Sequence, residues 1–320
     1  MSIFLSLVIP IYNEEETILL CYEELLRVFH NLEKPIEFIF IDDGSKDKSS
    51  SILKDLSQKD SRVKYIQFSR NFGKEAAMSA GFDFTQGEYI CQIDVDLQDP
   101  PELIPEMIAF AQEKKCDVVY GVRKKREGET ALKKLTAYLF YHLIARISQV
   151  QIPKNTGDFR IMTKDVVLSI RKLKETQRFM KGLFAWVGFH QEPFYYDRKP
   201  RQAGTTKFNY FKLWNFALEG VTSFTNVPLK LATYVGFFFS LFAFFLALFY
   251  VAKYFLYGDQ IQGFLTLIVA ILFIGGLQIM FLGIIGEYLG RVYFESKNRP
   301  LYLIKELKNI KLNDSISEIK

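Results

Sequence analysis

The chain has 320 residues, which is enough for one large domain or for one domain with an appended segment. Its 41 Lys and Arg residues against 36 Asp and Glu residues give a net charge of +5, and this excess is not gathered into one dense basic run. A nucleic-acid partner is therefore not expected. Cys21, Cys91 and Cys116 stand far apart without a CxxC pair, which predicts buried thiols in a reducing compartment.

Short apolar runs alternate with amphipathic segments between residues 4 and 120. The apolar runs predict buried strands, and the segments between them carry apolar residues at helical spacing. In chain order we predict strands at 4–9, 37–41, 63–68, 89–93 and 117–120, with helices at 14–32, 49–57, 74–85 and 101–114. This alternation predicts an α/β body with a mostly parallel sheet, in which ligands bind beyond the carboxyl ends of the strands.

Polar motifs follow the first two predicted strands. The first strand runs into PIYNE at 10–14, and the second runs into DDGS at 42–45. A carboxylate at the end of the second strand could accept a hydrogen bond from a base or from a ribose hydroxyl. Each motif alone is equally well explained by a helix cap or an acidic turn, so neither predicts a function by itself.

The fourth predicted strand ends in IDVDLQDPP at 93–101. Asp94 and Asp96 are two residues apart, so their carboxylates lie on the same side of an extended chain, and Gln98 follows at the same spacing. Hard oxygen ligands at a strand end suit Mg²⁺ or Mn²⁺, which bind through one or two carboxylates together with substrate phosphates. The alternative is a solvated acidic turn. We therefore predict a site for Mg²⁺ or Mn²⁺ here.

Two apolar segments predict a membrane anchor. Residues 231–251 and 264–285 contain no charged residue, and each has about the 20 residues that a helix needs to span a bilayer. A buried core helix is the alternative for either segment alone. Lysines and arginines before the first span and after the second predict that both flanks are cytoplasmic. The chain is thus expected in the inner (plasma) membrane as a multi-pass protein, with its body and both termini cytoplasmic.

Three parts follow from this division. We predict a cytoplasmic body at 1–230, a two-helix transmembrane hairpin at 231–286 and a basic cytoplasmic tail at 287–320, loosely ordered after Lys305. Within the body, amphipathic segments near 131–150 and 208–226 could pack on the core as ordinary helices. Beside an anchor, we favour helices that lie in the membrane interface and contact membrane lipids.

Four motifs in this order, together with the two spans, resemble glycosyltransferase family 2 with its GT-A nucleotide-diphospho-sugar fold. They are the PIYNE, DDGS and IDVDLQDPP motifs and GKEAAMSAG at 73–81. The later chain looks like the branch that contains dolichyl-phosphate mannose synthase and, more closely, the bacterial polyprenyl-phosphate glucosyltransferases with two C-terminal spans. The resemblance covers residues 3–300.

The resemblance implies a set of site residues. Those implied for the nucleotide sugar are Pro10, Tyr12, Glu14, Asp43, Asp94, Val95, Asp96 and Arg123. Among them, Asp94 and Asp96 would contact ribose, metal and diphosphate, and Gln98 would be a further metal ligand. Arg123 would reach a phosphate through the planar fork of its donors.

The resemblance also implies residues on the acceptor side. NTGDFR at 155–160 matches the segment that places a carboxylate near the acceptor, which makes Asp158, with Asp96, a candidate catalytic residue; without the resemblance Asp158 would be a turn residue. The basic loop at 198–207 could be ordinary positive-inside charge. The functional interpretation is a clamp for a lipid phosphate, made by Arg198, Arg201 and Lys207.

These expectations define a reaction. We expect inverting transfer of a hexose from a nucleoside-diphosphate sugar to a polyisoprenyl (undecaprenyl) phosphate, and uridine diphosphate-glucose is favoured from the resemblance only. Donors with N-acetylglucosamine, mannose or aminoarabinose stay open, as does a homo-oligomer. A processive polysaccharide synthase is disfavoured because no Gln-x-x-Arg-Trp motif occurs, and a nicotinamide oxidoreductase because no Gly-x-Gly-x-x-Gly follows the first strand. A tethered, non-catalytic sugar-nucleotide-binding protein is the non-enzyme alternative.

Overall fold

The structure is a computed structural model, and it describes residues 2–123, 156–176, 178–197, 227–257 and 263–310. Elements are numbered within these ranges. The strands are β1 (Leu5–Ile11), β2 (Ile36–Asp42), β3 (Val63–Phe68), β4 (Tyr89–Gln92), β5 (Val118–Arg123), β6 (Thr156–Thr163), β7 (Gln191–Tyr196) and β8 (Ile304–Lys308). The helices are α1 (Ile18–Phe29), α2 (Ser49–Lys59), α3 (Lys74–Phe84), α4 (Leu103–Lys114), α5 (Lys164–Arg171), α6 (Met180–Trp186), α7 (Val227–Tyr257) and α8 (Phe264–Ser296).

All eight strands form one sheet in the order β7-β5-β6-β4-β1-β2-β3-β8. The central neighbours β4, β1, β2 and β3 pair in parallel, as do β5 and β7, whereas β6 pairs antiparallel with β4 and β5 and β8 pairs antiparallel with β3. The predicted α/β class with a mostly parallel sheet is confirmed. The carboxyl ends of β1, β2 and β4 therefore lie side by side at one edge.

Helices cover both faces of the sheet, which is why its central strands read as continuous apolar runs. Successive residues of β2 point to opposite faces: Phe40 lies in the cluster that contains Leu25 of α1, and Ile41 lies in the cluster that contains Met78 of α3. Helix α3 approaches the sheet very closely, because a Cβ atom at Gly81 would overlap the side chain of Val8. The predicted burial of the three cysteines is confirmed, and all three are free thiols.

The predicted and observed elements differ most at helix starts. Helix α1 begins at Ile18 instead of residue 14, because Asn13 adopts a left-handed φ of 53° and the chain then makes a turn, closed by a hydrogen bond from Thr17 N–H to the carbonyl of Glu14. Left-handed backbone is tolerated by Asn better than by most residues. The residues after β1 therefore stay outside the helix, at the carboxyl edge of the sheet.

The C-terminal tail contains a strand that the sequence pattern did not predict. The chain after Lys305 was expected to be loosely ordered, and this is wrong for β8, which pairs with β3 in a register that places Leu307 opposite Ile66. Just before β8, the ring of Tyr302 stacks on Phe68 with 5.0 Å between the centroids. The charged residues of this short strand hid it, although charged side chains are usual on an edge strand.

Helices α7 and α8 are both long and apolar enough to cross a membrane. Only 6% of the apolar window of α7 and 0% of that of α8 is buried against the described chain, which argues against core helices. They contact each other, for example through Phe239 and Phe273, whose ring centroids are 5.7 Å apart. Helix α8 continues to Ser296, past the predicted end of the hairpin at 286.

Some expectations fall outside the described residues. The segment at 131–150, that at 208–226 and the basic loop with Arg198, Arg201 and Lys207 are among them. They stay predictions, as does the division into three parts.

Candidate active site

A cavity of about 260 Å³ opens at the carboxyl ends of β1, β2 and β4. Seven residues that were predicted to bind a nucleotide sugar line it: Pro10, Tyr12, Glu14, Asp43, Asp94, Val95 and Asp96. The cavity is also lined by residues without a predicted role, among them Asn71, Gly73, Lys74 and Ala77. The structure therefore brings the motifs after three different strands together around one space, as expected for ligand sites in sheets of this kind.

The loops after β1 and β2 are tied to each other. Asn13 N–H donates to Ser45 Oγ at 3.0 Å, and Lys46 N–H donates to Asn13 Oδ1 at 2.8 Å. Glu14 N–H donates to Ser49 Oγ, also at 3.0 Å. These bonds satisfy the backbone of an irregular segment, so the loop is held in one shape at the mouth of the cavity. Its residue Tyr12 keeps 37% of its surface exposed there.

Asp43 is buried and supports the loop before α3. Its Oδ1 accepts from Phe72 N–H at 2.6 Å and its Oδ2 accepts from Gly73 N–H at 2.9 Å. Burial raises the pKa of Asp43, and the two backbone donors act in the opposite direction. Both carboxylate oxygens thus already have a donor. Asp43 lines the cavity, but its observed contacts are those of a residue that positions the N-terminus of α3.

The segment after β4 turns instead of remaining extended. Strand β4 ends at Gln92, and Leu97 adopts a left-handed φ of 53°. Residues 95 and 96 lie in a turn, so the chain that carries Asp94 and Asp96 is not extended as predicted. Both nevertheless line the cavity. Gln98 folds back, so that its N–H donates to Asp96 Oδ1 at 3.2 Å, and its side chain is not among the residues that line the cavity.

Lys74, the first residue of α3, joins the donor-side and acceptor-side motifs. Its Nζ lies 2.7 Å from Asp94 Oδ1 and 2.6 Å from Asp158 Oδ2. Burial alone would lower the pKa of Lys74, but the charges of Asp158 and Asp94 outweigh it and raise that pKa. Burial likewise disfavours ionised Asp158, yet the charges of Lys74 and Lys181 hold the pKa of Asp158 below its usual range. Asp158 is therefore an ionised carboxylate beside the cavity.

Lys181 and Glu75 also lie near Asp158, and the sequence analysis predicted no role for either of them. Lys181 is on α6 and donates from Nζ to the carbonyl of Thr156 at 3.1 Å. Glu75 Oε2 accepts from Met180 N–H at 3.1 Å, at the start of the same helix. Burial, followed by the charge of Asp158, raises the pKa of Glu75 to about 8. A signal for Glu75 existed in the GKEAAMSAG motif, whereas Lys181 stands in an ordinary amphipathic segment.

Two arginines complete the surroundings of Asp158. Arg160 is 3% exposed, donates to the carbonyl of Gly157 at 3.2 Å and lies 3.7 Å from the centroid of the Phe184 ring. Arg123 also lies against Gly157, since a Cβ atom there would be 2.8 Å from Arg123 Nη2. Arg123 is not among the residues that line the cavity. Its Nη2 lies 3.9 Å from Asp99 Oδ1.

Comparison with known proteins gives the family. The sequence model of glycosyl transferase family 2 matches residues 6–171, more than half of the chain, and includes every motif that lines the cavity. The chain belongs to glycosyltransferase family 2. A second family model, the GtrB C-terminal hairpin, matches residues 227–292 of this glycosyltransferase, which are those of α7 and most of α8.

Known relatives match the glycosyltransferase along nearly its whole length. An uncharacterised glycosyltransferase from Synechocystis is 50% identical over 96% of this chain and 96% of its own length. A bactoprenol glucosyl transferase from Shigella phage SfX is 45% identical over 95% of this chain and 99% of its own length. Among solved structures, glucosyl-3-phosphoglycerate synthase from Mycobacterium tuberculosis is 16% identical, with a TM-score of 0.45, over 68% of this chain and 77% of that chain.

The carboxylate oxygens of Asp94 and Asp96 are of the type that binds a divalent metal ion, but two side chains alone would not fill its coordination shell. Among the residues that the structure describes, no three His, Cys, Asp or Glu side chains are grouped as a metal site. Asp94 and Asp96 would thus supply the protein ligands, and phosphate oxygens and water would supply the others. This division is usual for Mg²⁺, which keeps several waters and binds through one or two carboxylates plus substrate phosphates.

Proposed function

We propose that this glycosyltransferase transfers glucose from uridine diphosphate-glucose to a polyisoprenyl phosphate, with inversion, at the cytoplasmic face of the inner membrane. The observation that carries the proposal is the 45% identity to a bactoprenol glucosyl transferase over 95% of this chain. The similarity extends through the two apolar helices, so it includes the part of the chain that a lipid acceptor requires. The division into a body at 1–230, a hairpin at 231–286 and a C-terminal segment belongs to this proposal.

The donor would occupy the cavity at the carboxyl ends of β1, β2 and β4. Tyr12 offers an exposed ring on which a base can stack, and Glu14 offers a carboxylate for hydrogen bonds to the nucleoside. The diphosphate would lie toward Asp94 and Asp96, which would hold Mg²⁺ or Mn²⁺, with Gln98 as a proposed further ligand. A bound metal ion would stabilise negative charge on the departing diphosphate.

The reaction would be a single displacement. An oxygen of the lipid phosphate forms the new bond to the anomeric carbon, while the bond from that carbon to the diphosphate oxygen breaks on the opposite face and nucleoside diphosphate leaves. A phosphate monoester has a second pKa of about 6, so it is largely a dianion near neutral pH and has little proton to lose. Asp158 would therefore orient a cation beside it, Lys181, toward the acceptor.

The acceptor would reach this site from the membrane. Arg123 and Lys181 lie on the Asp158 side of the cavity, and the proposed clamp of Arg198, Arg201 and Lys207 would add positive charge at headgroup level. The hairpin would hold the body at the bilayer surface with both of its flanks cytoplasmic. A direct link between the body and α8 supports this arrangement, since Thr176 N–H and Oγ1 both donate to Glu295 Oε1 at 2.9 Å.

The proposal is tested by the choice of donor. Purified protein in detergent is incubated with undecaprenyl phosphate and, separately, with uridine diphosphate-glucose, uridine diphosphate-N-acetylglucosamine, guanosine diphosphate-mannose and uridine diphosphate-aminoarabinose. We expect glucosyl lipid, identified by mass spectrometry, and an equal amount of released uridine diphosphate. A clear preference for another donor would correct the sugar. Binding of sugar nucleotides without transfer of any would favour the non-catalytic alternative.

A further inference from the structure

Lys74 contacts Asp94, the carboxylate that is proposed to bind the metal ion. Its ammonium group is 2.7 Å from Asp94 Oδ1 and 2.6 Å from Asp158 Oδ2, and its side chain is 42% exposed. The lysine is thus an internal counter-cation for two carboxylates, and it stays in contact with water. A long, partly exposed lysine side chain can move to a new partner by rotation about its own bonds.

A divalent ion and this ammonium group compete for the same carboxylate. The metal needs Asp94 as a ligand, and two cations that share one carboxylate repel each other. In the described residues, no third His, Cys, Asp or Glu side chain is grouped with Asp94 and Asp96 as a metal site, and Asp158 is already paired with Lys74. A metal ion that enters alone therefore takes Asp94 from Lys74, which keeps only Asp158 as its anion and stays close to the metal charge. A metal ion that enters with a diphosphate brings phosphate oxygens for itself and for the lysine.

We propose that Lys74 keeps a divalent metal ion out of the empty site and releases Asp94 only when the metal arrives together with a nucleoside diphosphate. The side chain then turns from Asp94 to the diphosphate, while Asp94 becomes a metal ligand. Bound nucleotide therefore raises the affinity for the metal ion. Bound metal raises the affinity for the nucleotide by the same factor, because the two binding equilibria are linked. The inference rests on the proposed function only in taking a metal-bound nucleoside diphosphate as the ligand.

The test measures metal binding without any sugar or lipid. Mn²⁺ is titrated into the full-length protein in detergent, with and without uridine diphosphate, and free Mn²⁺ is followed by electron paramagnetic resonance. In the wild type we expect weak Mn²⁺ binding that uridine diphosphate strengthens by about 100-fold. In Lys74→Gln we expect Mn²⁺ alone to bind at least about tenfold more tightly than in the wild type, and the effect of uridine diphosphate to shrink.

Lys181→Gln is the matched control. It removes the same charge beside Asp158, but Lys181 donates to the backbone carbonyl of Thr156, whereas Lys74 contacts Asp94 directly. We expect its Mn²⁺ affinity to stay within about threefold of the wild type. Thermal unfolding shows whether both variants are folded, and Lys74→Arg, which keeps the charge, should retain the dependence on nucleotide.

Three outcomes would overturn the inference. They are an unchanged or weaker affinity for Mn²⁺ in Lys74→Gln, an equal gain in Lys181→Gln, and a wild type that binds Mn²⁺ equally well without nucleotide. The second of these would mean that only the net charge of the site matters. A different sugar, or no transfer at all, would contradict the proposed function and leave these binding results intact.

Discussion

At the scale of single residues, the site is organised by lysines that contact carboxylates. Lys74 bridges Asp94 and Asp158, and Lys181 approaches Asp158 from α6. A carboxylate that is ion-paired in this way remains ionised and is a weak proton acceptor, because its pKa is held below the usual range. The geometry therefore favours an orienting role for Asp158 over that of a general base.

Asp158→Asn tests this role. Since the wild-type carboxylate stays ionised at working pH, the variant should lose activity by about 100-fold, a loss typical of misplaced substrate groups. The ratio of wild-type to variant rates should stay nearly constant as the pH rises through the phosphate pKa of about 6. It is measured as kcat/KM for the lipid acceptor at several pH values. A ratio that shrinks steeply above that pKa would show that Asp158 takes the proton.

The sequence located most residues of the cavity but not their contacts. The motifs after β1, β2 and β4 could be placed together because the carboxyl ends of parallel strands meet at one edge. That Asp43 accepts from two backbone N–H groups, or that Lys74 joins Asp94 to Asp158, depends on distances that only the fold defines. Lys181 was missed because its neighbours along the chain carry no motif.

At the scale of elements, the first turn of α3 contacts three other segments of the site. Lys74 contacts the segments after β4 and in β6, and Glu75 accepts from the N–H of Met180 at the start of α6. A carboxylate is favoured at a helix N-terminus. Here, however, burial and the charge of Asp158 raise the pKa of Glu75 to about 8, so the protonated form is favoured in the folded protein.

This raised pKa predicts how stability depends on pH. The ordinary pKa of a glutamate side chain is 4.5 and the pKa of Glu75 in the folded protein is about 8, so between these values the folded state binds more protons than the unfolded chain. Stability should therefore fall as the pH rises through this window. Glu75→Gln cannot titrate and keeps an oxygen for Met180 N–H, so its Tm advantage over the wild type should grow up to about pH 8. A Tm difference that is constant with pH would contradict this prediction.

A second prediction about stability concerns Tyr302, which lies two residues before β8. The hydroxyl of Tyr302 donates to Asp83 Oδ2 at 2.7 Å, and its ring stacks on Phe68. Tyr302→Phe keeps the stacking but leaves the carboxylate without this donor, which should cost about 1–3 kcal/mol in the free energy of unfolding. Tyr302→Ala also removes the ring and should cost about 3–5 kcal/mol.

Chemical unfolding of the detergent-solubilised protein measures both variants. Tyr195→Phe is the control, since Tyr195 is 59% exposed and its hydroxyl should contribute little. Equal stability of Tyr302→Phe and wild type would mean that the hydrogen bond from Tyr302 to Asp83 does not stabilise the protein.

The elements themselves were predicted unevenly, and the reason is physical. Between β1 and β5, apolar runs and helical spacing indicated every strand and helix, because each element buries a face against its neighbours in sequence. Strands β6 and β8 pair with β4 and β3, which are distant in the chain, and their own residues are mixed or charged. Such long-range antiparallel pairing leaves little trace in a local pattern.

At the scale of the whole molecule, the body and the hairpin are connected at several points. Glu295 near the end of α8 accepts from Thr176 of the body, and the chain then adds β8 to the edge of the sheet. The two apolar helices were predictable because uncharged apolar runs of this length are typical of membrane-spanning helices. The continuation of α8 to Ser296 was not predictable in this way, since the uncharged run ends at residue 285.

The central claim is that the cavity at the carboxyl ends of β1, β2 and β4 binds a metal-bound sugar nucleotide for transfer to a lipid phosphate. The most direct test follows transfer of labelled glucose to undecaprenyl phosphate by the wild type and by Asp96→Asn. This substitution keeps the shape of the side chain and removes the ligand charge. We expect transfer by the wild type to stop with a chelator and to return with added Mg²⁺ or Mn²⁺, and folded Asp96→Asn to lose at least about 1,000-fold in rate. Full activity of Asp96→Asn, or of the wild type in the presence of chelator, would contradict the account.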